Sequence, residues 1–329
     1  MLLLVTLLSL LLLLATSSQH TASSSVSSTQ PISTSLASSA TFRDEDADSA
    51  AAIACNAAGG ARRYLLPGES PARCIDGTNP AFFLRRGKGD GANKWLVYFE
   101  GGGWCFSLDL CEIRAKTVLG SSKYYPTCLA RNDLKDFLSD SPKTNPLFHN
   151  WNIVQVKYCD GSSYAGEIDI PYHGKTMYFR GKINREETIK ALLSLGMNVA
   201  SEIAICGCSA GGLAIYLGVD QMAQQIKESN PMAIVRAISF SGFFLDYSSK
   251  IPTNPTKDDG VWNGNLDYAN AMRNNFNWMN ISSGANPSCL SHSQRKSHDP
   301  SQCIFARYLA PHITTPIFSI QVPALAQIF

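Results

Sequence analysis

The pentapeptide GCSAG at positions 207–211 constrains the fold of this chain more than any other feature. It follows the strand-like apolar run Glu202–Cys206 and precedes Gly211–Glu228, whose apolar residues recur at helical spacing. A serine exposed on a sharp strand-to-helix turn needs small neighbours, because larger side chains would clash with the backbone. The pattern predicts that Ser209 is a nucleophile and that the amide of Ala210 contributes to an oxyanion hole. An ordinary tight turn is the alternative.

A second glycine-rich stretch, EGGGWC at positions 100–105, follows the predicted strand Lys94–Phe99. Glycines at the end of a strand let the backbone approach a ligand closely. Gly102, Gly103 and Trp104 are therefore candidate oxyanion-hole donors through their backbone N–H groups. A phosphate-binding loop is the alternative, but the stretch lacks the Lys-Ser/Thr ending that such a loop requires.

Strand and helix signals alternate along the rest of the chain. This alternation predicts an α/β fold with a mainly parallel sheet and helices on both faces. A helix is predicted over Arg185–Leu195, besides the one that follows Ser209. The predicted strands, besides the two already given, are Asn152–Tyr158, Ala233–Phe240 and Thr315–Val322.

Two further turns follow predicted strands and are candidates for positions near a site. Asp160 is a candidate for contact with a sugar hydroxyl, although closing a local turn is the favoured role for an aspartate in this position. The segment Ser241–Asp246 contains two aromatic residues that are able to line a pocket, but a core position is favoured for them.

The N-terminal region has the composition of a targeting segment. Residues 1–18 begin with an almost unbroken apolar run that is short for a membrane span, so a secretory signal peptide is predicted, with a signal anchor as the alternative. Residues 19–50 are rich in Ser, Thr and Ala and are predicted to form a disordered leader. Residues 51–329 are predicted to form one domain.

Composition narrows the class of protein further. The net charge is +2, with no basic stripe, so no nucleic-acid partner is expected. In an oxidising compartment most of the ten cysteines are expected to form disulfides, whose pairing the sequence does not reveal. Cys206 and Cys208 flank the predicted nucleophile, and the cysteine spacing does not indicate a metal site. Neither a metal nor a cofactor is expected.

Asn280 begins a glycosylation sequon.

Five stretches together resemble the pectin acetylesterase family, which also contains the Notum-type carboxylesterases. They lie in order between Cys74 and Gln321. Their sequences are CIDGTNPAFFLRRGKGDGANKWLVYFEGGGWC (74–105), NWNIVQVKYCDGSSYAG (150–166), FRGKINREETIKALLSLGM (179–197), CGCSAGGLA (206–214) and ISFSGFFLD (238–246).

The resemblance implies a secreted, α/β-hydrolase-like serine esterase with a Ser-Asp-His triad. Ser209 matches the nucleophile, and the glycine-rich loop that ends at Trp104, together with Ala210, matches the oxyanion hole. Plant-type members remove acetyl groups from pectin in the cell wall, whereas Notum-type members remove a fatty acyl group from a signalling protein. The expected substrate is an acetylated polysaccharide. The mature chain is expected to be an extracellular monomer that does not enter a membrane.

The C-terminal end departs from the family pattern. The family's acid follows the strand that Thr315–Phe318 matches, but Val322–Gln327 contains no carboxylate, and Leu325 or Ala326 stands in its place. The family's histidine lies beyond the last residue given, Phe329. We therefore expect the C-terminal part of the hydrolase domain, and with it the triad acid and base, to be missing from this sequence.

Three hypotheses follow from this departure. The chain is a truncated form of an active esterase, or it is a polysaccharide-binding pseudoenzyme, or another histidine acts on Ser209. His298 beside Asp299 is the pair to consider for the third hypothesis, although a polar surface loop is favoured there. A Notum-type fatty-acyl esterase is an alternative for the substrate class.

Overall fold

The computed structural model describes residues 50–248 and 267–321. The predicted signal peptide and nearly all of the predicted leader lie outside the described residues, so both stay predictions. In the two ranges that the structure describes, no helix is long and apolar enough to cross a membrane.

The order of the elements alternates between strands and helices over much of the chain. The described strands are β1 (Ala61–Leu65), β2 (Ala81–Arg85), β3 (Lys94–Phe99), β4 (Cys128–Leu129), β5 (Asn152–Val156), β6 (Ile168–Tyr172), β7 (Lys175–Phe179), β8 (Glu202–Cys208), β9 (Ile234–Phe240) and β10 (Ile317–Ile320). The described α-helices are α1 (Ala50–Ala57), α2 (Leu108–Arg114), α3 (Gly181–Ser194), α4 (Ala210–Ser229), α5 (Tyr268–Trp278), α6 (Pro287–Arg295) and α7 (Ala306–Leu309).

Eight of these strands form one sheet in the order β10-β9-β8-β3-β5-β2-β1-β4. The five strands from β10 to β5 are parallel to their neighbours, whereas β2, β1 and β4 extend the sheet in antiparallel pairings. Strands β6 and β7 form a separate hairpin. The predicted α/β fold with a mainly parallel sheet is thus confirmed.

One face of the parallel strands is buried under helices α3 and α4. Because side chains alternate along a strand, every second residue of β3 and β8 points to this face. Each fully buried aliphatic or aromatic side chain contributes about 1.5–3 kcal/mol to folding. The strand residues in this cluster include Val97, Phe99, Ile203 and Ile205, and the helix residues include Ile189, Leu192, Ala214, Ile215 and Val219.

The opposite face of the sheet is covered by the irregular segment 121–151 instead of by a long helix. The ring of Phe137 stacks on Phe240 of β9 at a centroid distance of 4.9 Å and meets Tyr98 of β3 edge-on at 5.1 Å. Aromatic pairs in these geometries contribute about 0.5–1.5 kcal/mol beyond their burial.

Four disulfides join described cysteines, in agreement with the expectation that most would pair. Cys206 and Cys208 of β8 remain as free thiols. The disulfide pairs are Cys55–Cys128, Cys74–Cys159, Cys105–Cys111 and Cys289–Cys303.

Candidate active site

Ser209 lies on a strained turn between the end of β8 and the start of α4. Its backbone has φ 56° and ψ −122°, a region that residues other than glycine rarely occupy. Such a conformation costs about 1–3 kcal/mol and is retained where the surrounding structure fixes it. Here the N–H of Ser209 donates to the carbonyl of Phe240 at 2.9 Å, and its own carbonyl accepts from the N–H of Leu213 at 2.9 Å. The side chain is half-buried, at the C-terminal edge of the parallel sheet.

Two glycines two residues away from Ser209 allow this turn to form. A Cβ at Gly207 would lie 2.2 Å from the carbonyl oxygen of Gly211, and a Cβ at Gly211 would lie 2.1 Å from that of Phe99. Neither contact can be relieved by rotating a side chain, because both partners are backbone atoms. The glycines of the pentapeptide are therefore required by steric contact, as the sequence predicts.

The glycine-rich loop 101–104 packs directly against the Ser209 turn. It leaves β3, which pairs in parallel with β8, so the two strands end side by side. A Cβ at Gly101 would lie 2.4 Å from the carbonyl oxygen of Cys208 and 2.9 Å from the Cβ of Ser209. Two stretches 108 positions apart, counted from Gly101 to Ser209, are thereby in backbone contact.

Side chains outside this loop bind its carbonyl groups. Arg114 donates through Nη1 to the carbonyl of Gly102 at 2.9 Å, and the hydroxyl of Tyr158 donates to the carbonyl of Gly103 at 3.0 Å. Within the described residues, the backbone N–H groups of Gly102, Gly103 and Trp104 donate no hydrogen bond. These three donors are available to a ligand.

Ala210 is the first residue of α4, and its N–H therefore has no partner within the helix. A helix of 20 residues also presents the positive end of its dipole at this point, which favours a negative charge beside Ser209. The arrangement is chemically suited to stabilise the oxyanion that forms on a carbonyl oxygen when Ser209 attacks an ester, or when water attacks the acyl group on Ser209.

Aromatic side chains from two loops border the same edge of the sheet. The indole Nε1–H of Trp104 donates to Ser163 Oγ at 2.8 Å, which fixes the ring. Phe244, in the loop after β9, meets the Trp104 ring edge-on at 5.0 Å. Phe243 and Phe244 were expected in the core, but both are only half-buried. Phe244 is part of the apolar border of the site.

Asp160 lies in the loop that follows β5 and is completely buried. Its Oδ1 accepts hydrogen bonds from the N–H of Ser162 at 2.9 Å, from Ser162 Oγ at 2.5 Å and from the N–H of Tyr164 at 3.1 Å. Burial raises the pKa of the Asp160 carboxyl, and the hydrogen bonds from Ser162 oppose that change. The side chain closes a local turn, and its contact with a sugar hydroxyl stays a prediction.

Within the described residues, the hydroxyl of Ser209 forms no hydrogen bond to a histidine or a carboxylate. The His298 side chain is exposed. Asp299 beside it caps a short helical turn at Ser301 and lies 3.8 Å from Arg273 Nε. The segment 322–327, where the family's acid is expected, lies outside the described residues. In the described part of the chain, no cluster of three or more His, Cys, Asp or Glu residues is arranged to hold a metal ion.

Asp246, in the loop after β9, forms a bidentate ion pair with Arg273 of α5. Both of its carboxylate oxygens accept from the guanidinium of Arg273, at 2.7 and 2.6 Å, and Oδ2 also accepts from the Tyr308 hydroxyl at 3.0 Å. Hydrogen bonds from Arg273 lower the pKa of Asp246 from its ordinary value of 3.8. The pair ties the loop that bears Phe244 to helix α5.

Replacing Asp246 with asparagine should lower the free energy of unfolding by about 1–2 kcal/mol at pH 7, because charge-assisted hydrogen bonds are lost from a partly exposed pair. The folded-state pKa is below the unfolded value, so this contribution is complete above about pH 5 and is lost as the pH falls below about 4. Urea unfolding between pH 7 and pH 2 should therefore show a smaller loss of stability on acidification in Asp246→Asn. Equal acid sensitivity in both proteins would contradict this prediction.

The fold and the site together define a class of protein. A mainly parallel sheet, a strained serine between a strand and a helix, and a glycine-rich loop in contact with that serine are the features of α/β-hydrolase-like proteins with a nucleophile elbow.

The chain belongs to the pectinacetylesterase family, whose model matches residues 61–324. Pectin acetylesterase 5 of Arabidopsis thaliana is 33% identical over 77% of this chain and 54% of its own length. The mouse palmitoleoyl-protein carboxylesterase NOTUM is 30% identical over 79% of this chain and 49% of its own length. A crystal structure of the Wnt deacylase Notum from Drosophila superposes with a TM-score of 0.67 at 26% identity, covering 80% of this chain and 71% of that structure. The chain thus spans about half the length of the curated relatives it matches.

Ser209, the glycine-rich loop and Ala210 are candidates from the sequence, and the structure places them at one edge of the sheet. Arg114 and Tyr158 are not among the candidates from the sequence. Tyr158 lies in the family-like stretch 150–166 and Arg114 lies in none of the five, but nothing in either place indicates this role, because each residue reaches the loop only through the tertiary fold.

Proposed function

We propose that this protein is a secreted serine carboxylic-ester hydrolase that removes acetyl groups from pectin or another O-acetylated cell-wall polysaccharide. The observation that carries the proposal is the contact between Gly101 and the strained Ser209 turn, which brings candidate oxyanion donors to a candidate nucleophile. Membership of the pectinacetylesterase family supports the same reaction class.

In the proposed reaction, the Ser209 hydroxyl loses its proton to a base and its oxygen attacks the acetyl carbonyl. The tetrahedral oxyanion then accepts hydrogen bonds from the amide of Ala210 and from amides in the segment Gly102–Trp104. The sugar alkoxide leaves with a proton, and water hydrolyses the acetyl-serine to acetate and free Ser209. Because no base contacts Ser209 in the described residues, the proposal requires one from outside them.

The test compares the secreted full chain with its Ser209→Ala variant. Both would be assayed on p-nitrophenyl acetate and for acetate release from acetylated pectin. We expect Ser209-dependent turnover, with a loss of roughly 10³-fold or more in the variant. Equal rates in the two proteins would contradict the proposal. A set of p-nitrophenyl esters of increasing chain length would separate an acetylesterase from a Notum-type enzyme, which should prefer the long acyl chains.

A polysaccharide-binding pseudoenzyme is the second candidate, favoured by the missing contact between Ser209 and a base among the described residues. It predicts that the chain binds acetylated pectin without releasing acetate. Calorimetric titration with acetylated and chemically deacetylated pectin would decide this. A chain that neither turns over nor binds acetylated pectin would exclude it.

Export and glycosylation belong to the same proposal. The four disulfides support export, because disulfides form and persist in an oxidising compartment. The sequon residue Asn280 is half-buried; its Nδ2 donates to the carbonyl of Glu167 at 3.1 Å, and its Oδ1 accepts from Ser282 Oγ at 2.9 Å. A glycan would replace one of the two Nδ2 hydrogens, and the other could still donate to Glu167.

A further inference from the structure

The carbonyl groups of the glycine-rich loop are held from one side by a small cluster in which Tyr158 and Ser163 are buried and Arg114 is half-buried. Arg114 and Tyr158 bind consecutive carbonyls, those of Gly102 and Gly103. A Cβ at Gly102 would lie 3.3 Å from the ring of Tyr158, so the loop rests directly on that ring. Both glycines have positive φ, 146° and 61°, and they lack the steric restraint that a side chain gives to the backbone. The two hydrogen bonds therefore restrict peptide groups that would otherwise rotate readily.

Because the peptide bond is planar, these two hydrogen bonds also fix the directions of the N–H groups of Gly103 and Trp104. In a trans peptide, the C=O of one residue and the N–H of the next point in opposite directions. Arg114 holds the Gly102 carbonyl, so the N–H of Gly103 points away from Arg114. Tyr158 holds the Gly103 carbonyl, so the N–H of Trp104 points away from Tyr158. Both free N–H groups thus face away from the cluster.

Arg114 is itself fixed by the polypeptide that follows the loop. The Cys105–Cys111 disulfide closes a short turn directly after Trp104, and α2 then ends at Arg114. The Nε of Arg114 also donates to the carbonyl of Leu119 at 3.0 Å. The disulfide, the end of α2 and the bond to Leu119 therefore restrict the Arg114 guanidinium to its position beside the loop.

Tyr158 is also held in place by its neighbours. It is completely buried, its hydroxyl accepts a hydrogen bond from the N–H of Ser163 at 2.9 Å, and the Arg114 guanidinium lies over its ring at 5.1 Å. Because the hydroxyl accepts from Ser163, its own proton is directed to Gly103. The same Ser163 accepts from the Trp104 indole, so the cluster is closed around the loop.

We propose that Arg114 and Tyr158 are positioning residues that aim the Gly103 and Trp104 amides at the oxyanion formed on Ser209. This proposal rests on the proposed function for its catalytic consequence. Both residues would affect kcat by orienting the two amides, and neither would contact the substrate. Removing a whole oxyanion-hole donor costs about 10²–10³-fold in kcat, so misdirected donors should cost less, about 10–100-fold.

The first test removes only the Tyr158 hydroxyl. Tyr158→Phe should lower kcat for p-nitrophenyl acetate by about 10–100-fold while KM changes by less than about threefold, because the ground-state ester makes weaker use of the donors. Thr188→Val is the matched control: it removes another buried side-chain hydroxyl that donates to a backbone carbonyl, that of Asn184 at 2.7 Å, within helix α3. Equal kcat values for the two variants would overturn the role of Tyr158.

The second test addresses Arg114. Arg114→Met should lower kcat to a similar extent, and Arg114→Lys should restore part of it, because an ammonium group still donates to a carbonyl. Arg85→Met is the control, since Arg85 is another arginine that donates to backbone carbonyls, those of Leu138 and His149; Arg85 is buried, whereas Arg114 is half-buried. A purely structural role would give equal loss in both methionine variants and no recovery in the lysine variant.

An amide NMR comparison tests the positioning role without any turnover. In the full chain, Tyr158→Phe and Arg114→Met should shift and broaden the signals of Gly103 and Trp104, whereas Thr188→Val should not. Unchanged signals in both variants would overturn the inference. If the parent chain shows no Ser209-dependent turnover, the proposed function fails, and these spectra alone decide whether Arg114 and Tyr158 hold the amides.

Discussion

Replacing Gly211 with alanine is expected to destabilise this protein by about 3 kcal/mol or more and to remove the geometry of the Ser209 turn. The added Cβ would lie 2.1 Å from the carbonyl oxygen of Phe99 and 2.6 Å from that of Glu100. Overpacking of a core typically costs about 1–3 kcal/mol, and contacts with backbone atoms fall at the upper end because the backbone cannot rotate away. The variant forces α4 away from the end of β3.

The measurement is urea unfolding of the purified proteins followed by near-ultraviolet circular dichroism. Gly68→Ala is the control, since a Cβ at Gly68 would have only the flexible end of Asn79 within 4 Å, at 3.9 Å. The control should change the free energy of unfolding by less than about 0.5 kcal/mol. A Gly211→Ala protein as stable as this control would show that the turn tolerates a side chain, contrary to the structure.

Removing the Cys74–Cys159 disulfide is expected to destabilise the protein at least as much as Gly211→Ala. The bond closes a loop with a sequence separation of 85 residues, between the region before β2 and the end of β5. In the chain-entropy model, a loop of this length corresponds to about 4.5 kcal/mol of stabilisation through the unfolded state. Both cysteines are fully buried, so alanine is the appropriate replacement. Cys159 also precedes Asp160, so the Asp160 turn should loosen first.

The matched comparison is the double alanine variant of Cys289–Cys303, whose sequence separation is 14 and whose expected cost is about 3 kcal/mol. Differential scanning calorimetry of both double variants and the parent would rank them. The long-loop variant should have the lower Tm. The reverse order would indicate that local strain or residual structure in the unfolded chain outweighs loop entropy.

The parallel half of the sheet could be predicted from the sequence because its strands are short, apolar and followed by helices. The predicted strand Lys94–Phe99 agrees with β3, and the predicted strand at Ala233–Phe240 differs from β9 by one residue. The antiparallel extension could not be predicted in this way. Strand β1, ARRYL, contains two arginines, so its sequence lacks a clear apolar alternation. Strand β2, AFFLR, is an apolar run, but nothing in it indicates antiparallel pairing.

The candidate site also has a part that the sequence predicts and a part that it does not. Ser209 and its flanking glycines lie in one continuous stretch, and the steric demands of a tight turn are visible in the residue types themselves. Arg114 lies 12 positions from the carbonyl that it binds, and Tyr158 lies 55 positions from its own. No local pattern marks either residue, because an arginine at a helix end and a tyrosine after a strand are ordinary in those places.

The sequence by itself determined the strand–turn–helix around Ser209, the glycine-rich loop and the family, because each depends on residue types within one short segment. Only the tertiary structure decided which cysteines pair, that Gly101 lies against Ser209, and that Asp160 is buried in a turn. It also decided that Arg114 and Tyr158 hold the carbonyls of the loop. These contacts join residues far apart in the chain, and their geometry follows from the register of neighbouring strands, which local sequence does not fix.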